Sequence, residues 1–314
     1  MSRLIMPSIL NQGVAGGKYF LASENGGKLY HYNSISWSDV SPVASAANYR
    51  ECSISDDGKK WIIPIASGRL WLWDGASYVE QRPAGNVDKN WIAAAISGDG
   101  NKMIAAVYGG RAYFYNGSNW IEIQPAGNVD KNWGGLSLNY TGSLLGIGIQ
   151  GGRLYFGDGS TFTEQRPSGN IDLTWSNIKF CKDGTKAIAC AAYNRVYLYD
   201  GSNWIEIQPD GNTNIAWQQV GIDKNGIKFL STTQFGGSSG KMYFFDGTNW
   251  AIDLPRVGYS KRTFAAMSGN ADVFIQAGYG DRLYIKKNGV WVEHQPAGDS
   301  NRNWYSVTVN RGTN

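Results

Sequence analysis

The chain is poor in the residues that staple a fold or carry out chemistry. Of its 314 residues only three are cysteine and two are histidine, and charged side chains make up 17%. Cys52, Cys181 and Cys190 are odd in number, lack a Cys-x-x-Cys spacing and sit in strand-like runs. They read as small core residues, and neither disulfides nor structural zinc are expected. His, Cys, Asp and Glu never cluster at ligand spacing, so no metal and no other cofactor is expected. No stretch of 18 apolar residues occurs, which leaves nothing to insert into a membrane as a helix. The apolar part of residues 1 to 7 is too short for a signal peptide, so a soluble protein made in the cytoplasm is expected. A net charge of +4, from 29 basic and 25 acidic residues with no run of five like charges, makes nucleic acid an unexpected partner. A sustained helical period is also missing. What the chain has instead is 41 glycines and 13% aromatics, a composition of many short strands joined by tight turns.

Self-similarity organises those strands. An aromatic residue opens a short apolar run at Tyr49, Trp91, Trp133, Trp175, Trp217, Phe264 and Trp304; four consecutive spacings are 42, and the next two are 47 and 40. The longer interval contains an insertion at residues 235 to 240. Turn pairs give a second register: Asn33-Ser34, Asp74-Gly75, Asn116-Gly117, Asp158-Gly159, Asp200-Gly201, Asp246-Gly247 and Asn288-Gly289. Prolines give a third, at Pro42, Pro83, Pro125, Pro167, Pro209, Pro255 and Pro296, each just after the last strand of a unit, where a missing N–H harms no ladder.

Within residues 91 to 133 four strands can be drawn, at 91 to 97, 102 to 108, 111 to 115 and 119 to 124. The turns between them carry Gly98-Asp99-Gly100, Gly109-Gly110 and Asn116-Gly117, and Asn-Gly in a two-residue turn is a strong hairpin signal because both central positions want φ > 0. A four-stranded antiparallel unit of about 42 residues is the size of a propeller blade. The expected fold is therefore all-β, a seven-bladed β-propeller forming one domain over residues 1 to 314. Residues 304 to 310 begin an eighth copy that stops after one strand, and the first unit has only a poor first strand. The C-terminal strand is expected to complete the N-terminal blade, and residues 4 to 10 to add a strand or lie across that seam. Closure would remove the exposed edges of an open array.

Ser97-Gly98-Asp99-Gly100, Tyr108-Gly109-Gly110-Arg111 and Asp200-Gly201-Ser202-Asn203-Trp204 resemble the turns of WD40-like and sialidase-like (Asp-box) propeller repeats, found in propeller lectins and phage virion proteins. The likeness covers essentially the whole chain. It implies architecture more than activity.

Repeated side chains mark one rim. Every third strand opens with a cation, at Lys28, Arg69, Arg111, Arg153, Arg195, Lys241 and Arg282, and two residues later comes an aromatic, at Tyr30, Trp71, Tyr113, Tyr155, Tyr197, Tyr243 and Tyr284. Positions i and i+2 share a side of the strand. The loop at residues 83 to 91, repeated without change at 125 to 133, brings Asn86, Asp88, Asn128 and Asp130 beside them. One reading pairs each cation with a loop carboxylate such as Asp88 or Asp130 and packs the aromatics between blades. The other places a sugar ring in each interblade notch, stacked on Trp91, Trp133, Trp175, Trp217 or Trp304 and on Trp71, Tyr113 or Tyr155, with Arg69, Arg111 and Arg153 answering its hydroxyls. The divergent loops at 41 to 48 and 255 to 263 are expected to break the symmetry, the latter carrying Arg256, Lys261 and Arg262.

Three catalytic motifs fail their structural tests. Residues 236 to 240 match G-x-S-x-G, but Ser238 falls in a turn insertion with no helix after it and no histidine near. Gly146-x-Gly148-x-x-Gly151 is followed by a strand and so lacks the helix N-terminus a pyrophosphate needs. Sialidase chemistry needs converging arginines that break symmetry, whereas here they recur once per unit. The sequons at Asn116 and Asn139 mean little without secretion. The expectation is a non-enzymatic binding module, recognising glycans multivalently at a cell or virion surface. The alternative is a structural component of a phage virion or tail with protein contacts only. Both are compatible with homo-oligomer or virion assembly.

Overall fold

A computed structural model describes residues 4–5, 18–211, 213–234, 240–255 and 262–312, and these contain strands and turns but no helix. In chain order the strands begin with β1 (Leu4–Ile5), β2 (Phe20–Gly27), β3 (Leu29–Tyr32), β4 (Trp37–Asp39) and β5 (Ala47–Asn48). The next two units are β6 (Ser53–Ile54), β7 (Trp61–Pro64), β8 (Leu70–Trp73), β9 (Ser77–Gln81), then β10 (Trp91–Ile96), β11 (Met103–Val107), β12 (Ala112–Tyr115), β13 (Trp120–Ile123). They are followed by β14 (Trp133–Leu138), β15 (Leu145–Gly152), β16 (Leu154–Gly157), β17 (Phe162–Gln165) and by β18 (Leu173–Phe180), β19 (Ala187–Asn194), β20 (Val196–Tyr199), β21 (Trp204–Ile207). The chain ends with β22 (Ile215–Ile222), β23 (Phe229–Thr233), β24 (Met242–Phe245), β25 (Trp250–Ile252), β26 (Thr263–Met267), β27 (Val273–Asp281), β28 (Leu283–Lys287), β29 (Val290–His294) and β30 (Arg302–Val309).

Each group of four is an antiparallel meander. In β10–β13, Ala94 faces Ala105, Ala105 faces Tyr113, and Tyr113 faces Glu122. The last strand, β30, lies beside β2 with Phe20 opposite Val309, giving the order β30-β2-β3-β4. β1 adds to the outer edge of another meander, Leu4 opposite Tyr78. Burial follows position in the meander. Second strands such as Met103–Val107 are buried throughout because sheets cover both of their faces, whereas outer strands such as Trp120–Ile123 are largely open, with Ile121 and Glu122 exposed and Ile123 buried. The sequence reflects this: β11 reads Met-Ile-Ala-Ala-Val, and β13 reads Trp-Ile-Glu-Ile.

Side chains of successive meanders interlock between the sheets, as where Ile62 and Leu70 meet Trp91, Ala94 and Met103. Full burial of one such large side chain contributes about 1.5–3 kcal/mol. Crowding is tightest at the innermost strands, where a Cβ on Gly135 would lie 2.4 Å from the Asn177 Cα and one on Gly134 1.9 Å from the Trp175 carbonyl oxygen. These strands line a cavity of about 80 Å³. Within it Glu51 accepts from Lys179 Nζ at 3.0 Å and from Asn177 Nδ2 at 2.9 Å, a bridge between meanders that are not sequence neighbours.

At the end of the inner strands, backbone hydrogen bonds link turn to turn. Asp56 donates to Gly98, Asp99 to Tyr140, Tyr140 to Lys182, Lys182 to Lys224, Lys224 to Gly269 and Gly269 to Arg311, and Gly312 donates back to Asp56 at 2.9 Å. Each turn is shaped by a side-chain acceptor for the amide five residues on: Ser55 for Lys60, Ser97 for Lys102, Asn139 for Leu144, Cys181 for Lys186, Asp223 for Lys228 and Ser268 for Val273. Cys181 is buried like Cys52 and Cys190, but its thiol takes the place of a serine hydroxyl and donates to Asp183.

One register shifts. Trp91, Trp133, Trp175 and Trp217 are each followed by a bulge, but β26 pairs with β27 without one, and Thr263 faces Gly278 where Trp91 faces Val107. Thr263, and not Phe264, therefore holds the tryptophan's place, and Phe264 stacks on Tyr305 at 5.7 Å.

Candidate binding surface

The long loops and the second turns lie on one rim because their backbones join there. Lys89 donates to Gly68 at 2.9 Å, Lys131 to Gly110 at 3.1 Å and Tyr108 to Asn90 at 2.8 Å. Above this framework the repeated cations are engaged. Arg69 Nε reaches Asp88 Oδ1 at 2.6 Å, and its Nη1 reaches Asn86 Oδ1 at 3.0 Å and Glu80 at 3.3 Å. Arg111 pairs with Asp130 at 2.8 Å, and Arg153 with Asp172 at 2.7 Å while donating to Asn170 Oδ1. Arg195 meets Glu206, Lys241 meets Asp210, Arg282 meets Asp299 and Lys28 meets Asp39. Asn128 accepts from Gln124. Each cation ties the start of a third strand to its own outer strand or to a rim loop, as in the first of the two sequence readings.

The repeated aromatics are interior. Trp91, Trp133, Trp175, Trp217 and Trp304 are each 2% exposed. Trp91 packs edge-on to Tyr113 at 6.0 Å, and Trp304 to Tyr30 likewise. Trp133 Nε1 donates to the Gly110 carbonyl at 2.8 Å and Trp304 Nε1 to that of Asp281 at 3.1 Å. Trp71 is buried, and Tyr113 and Tyr155 are half-buried, their hydroxyls pushed up by burial and then by Glu122 and Glu164 respectively. The notches therefore bring together the residues named from sequence, but the tryptophan faces are covered by the preceding sheet. A sugar could stack on them only by parting two sheets.

Open side chains on the same rim are different ones. Tyr108 is 44% exposed, Tyr193 71% and Tyr279 39%, all on second turns, and Val87, Val129 and Ile171 stand out from the loops between them. The sequence motifs mark Tyr108 only as part of a turn, and Tyr193 and Tyr279 not at all. Tyr193 was findable, because it stands two residues before Arg195, where Gly109 precedes Arg111.

The remaining motifs resolve as structure. Gly146, in β15, has no space for a Cβ against Ile178 and Phe180. Asp200 Oδ1 accepts from the Ser202 and Asn203 amides, and Asp158 from those of Ser160 and Thr161, bonds that hold both carboxyls below the usual range. These Asp-Gly turns are structural clasps. Ser238, Arg256 and Lys261 lie outside the described residues; Arg262 bridges to Gln234 through its backbone.

No family model matches the chain, and no curated protein does. Solved structures do match. The β-propeller domain of Myceliophteria thermophila Cps50 (Swd1) superposes with a TM-score of 0.62 at 12% identity, over 84% of this chain and 95% of that one. A chain of the mitotic checkpoint complex superposes with a TM-score of 0.64 at 12% identity, over 88% of each. At that identity the likeness concerns fold alone, and the fold is a β-propeller.

Proposed function

We propose that the chain is a propeller of seven blades, its ring closed by β30, and that it acts as a non-enzymatic recognition module. Its binding surface is the loop rim, and its ligands are glycans on a cell or virion surface. The circuit of backbone bonds that leaves Asp56 and returns to it from Gly312 supports closure, as does the pairing of β30 with β2. The observation that carries the binding reading is that second turns of alternate units carry an exposed tyrosine, Tyr108 and Tyr279 three residues before the rim cation and Tyr193 two before it. An exposed ring offers a flat apolar face beside polar groups, the pairing that sugar C–H and O–H groups require. Repeated weak sites on a rigid ring gain about 10²–10⁴ in avidity on a dense surface.

The test is a printed oligosaccharide panel probed with the intact chain at micromolar concentration. Binding to at least one glycan, lost when Tyr108, Tyr193 and Tyr279 are all changed to Ala, is the expected result. Binding to none would overturn the glycan reading. A second reading, a structural component of a virion or tail with protein contacts only, draws support from the covered notch tryptophans. Retention of the chain in purified virions, together with a blank panel, would establish it.

A further inference from the structure

Six of the rim turns place a described residue with positive φ two positions before the rim cation: Gly26, Ser67, Gly109, Gly151, Tyr193 and Gly280. Four are glycine, the residue that adopts this conformation without a Cβ penalty. Tyr193, at φ 56°, is the bulky exception, and its ring is 71% exposed. A large aromatic in the left-handed region is an outlier that packing ordinarily justifies. Here the ring points to solvent, so the conformation serves no buried contact. Asn194 holds the turn, its Oδ1 accepting from the Arg195 amide at 3.0 Å and the Tyr197 hydroxyl at 2.8 Å.

We propose that Tyr193 is the principal stacking platform for an uncharged sugar ring, an inference that rests on the glycan reading above. The turn lies between β18 and β22, with Ala192 opposite Thr174 and Asn194 opposite Ile215. Thr174 and Asn214 are exposed, the one opposite Ala192 and the other next to Ile215, and supply hydroxyl and amide groups. The charges nearest this turn are balanced, Arg153 against Asp172 at 2.7 Å and Arg195 against Glu206 at 3.2 Å. An anionic or cationic ligand would meet no unpaired counter-charge in these pairs, whereas neutral hydroxyls need none. An apolar peptide would find a single ring flanked by polar groups, not a groove.

The decisive variant is Tyr193→Gly, which removes the ring and suits the turn. Its Tm should stay level or rise by about 2 °C, since strain relief offsets the added freedom of the unfolded chain. On the oligosaccharide panel it should lose tenfold or more in binding, and Tyr193→Phe should retain binding. A fall in Tm beyond about 5 °C would show a structural role and overturn the inference. Panel binding that survives Tyr193→Gly while Tyr108→Ala or Tyr279→Ala abolishes it would overturn this site and leave the glycan reading standing. A panel blank for the unaltered chain would overturn both.

Discussion

Acidification should loosen the seam between the blade that contains β30 and the one that begins at β6, and His31 is the reason. Its ring is stacked between Tyr19, centroids 5.9 Å apart, and Trp61, at 4.6 Å, and Trp61 in turn stacks on Trp73. Neither imidazole nitrogen has a hydrogen-bond partner among the described residues. Burial lowers its pKa from 6.5 to about 4. Tyr19, the titratable neighbour on the open side, has its hydroxyl pushed up by burial and then by Asp57, so it stays neutral in the acid range. Because the folded state resists protonation, it binds fewer protons than the unfolded chain between about pH 6.5 and pH 4. The stability contributed by neutral His31 is whole above that window, falls as pH drops through it, and levels off below. The gap corresponds to a loss of about 2 kcal/mol by pH 5 and about 3 kcal/mol by pH 4. Urea unfolding followed by tryptophan fluorescence at pH 7 and pH 5 measures it, with His31→Phe as reference because phenylalanine keeps the stack and cannot titrate. The unaltered chain should lose about 2 kcal/mol more than His31→Phe over this interval. Equal losses in the two proteins would refute the argument.

Trp133→Ala should destabilise by about 3–5 kcal/mol in urea, because it empties an interblade site and removes one of the two bonds to the Gly110 carbonyl; a loss below about 1 kcal/mol would mean that the ring is not packing. Asp130→Asn should change stability by less than about 1 kcal/mol, since the Arg111 pair it weakens is exposed on the carboxylate side, 63%. A double-mutant cycle with Arg111→Ala checks this, and a coupling above about 2 kcal/mol would show a rim more rigid than described. Gly135→Ala should cost more than about 2 kcal/mol or prevent folding, because its Cβ would meet Asn177 backbone, which has no room to retreat; near-wild-type unfolding would contradict the inner-strand crowding.

What could be read from sequence was whatever repeats locally. Turn chemistry at Asp-Gly and Asn-Gly, strand length and the prolines after outer strands are properties of adjacent residues, and they marked the meanders well. The cations of the rim were legible too, down to the Asp88 and Asp130 partners. Whether Trp133 shows its face to solvent was not legible, because an aromatic repeated every 42 residues reads the same for a ligand platform as for a wall between sheets. The neighbouring blade decides, and it is a tertiary fact. Phe264 misled for a related reason: the missing bulge after Thr263 moves the register by one, and only strand pairing reveals a bulge. Cys181 is a core residue, as its sequence setting indicates, and its period, shared with Ser55 and Ser97, also makes it a turn acceptor. Tyr193 is not legible as a site because its counterparts at the same repeat position are mostly glycine, so nothing recurs there to mark it.

The closure proposed for the ring rests on the pairing of β30 with β2, Phe20 opposite Val309. Native-state hydrogen exchange read by mass spectrometry measures it directly, by comparing peptides covering residues 302–309 with those covering residues 173–180 in the middle of the array. Closure predicts equal protection of the two, and with it slow exchange of the Gly312 amide that bonds Asp56. Exchange of residues 302–309 within seconds, with the middle strands still protected, would mean that β30 is a frayed end and that the ring is open.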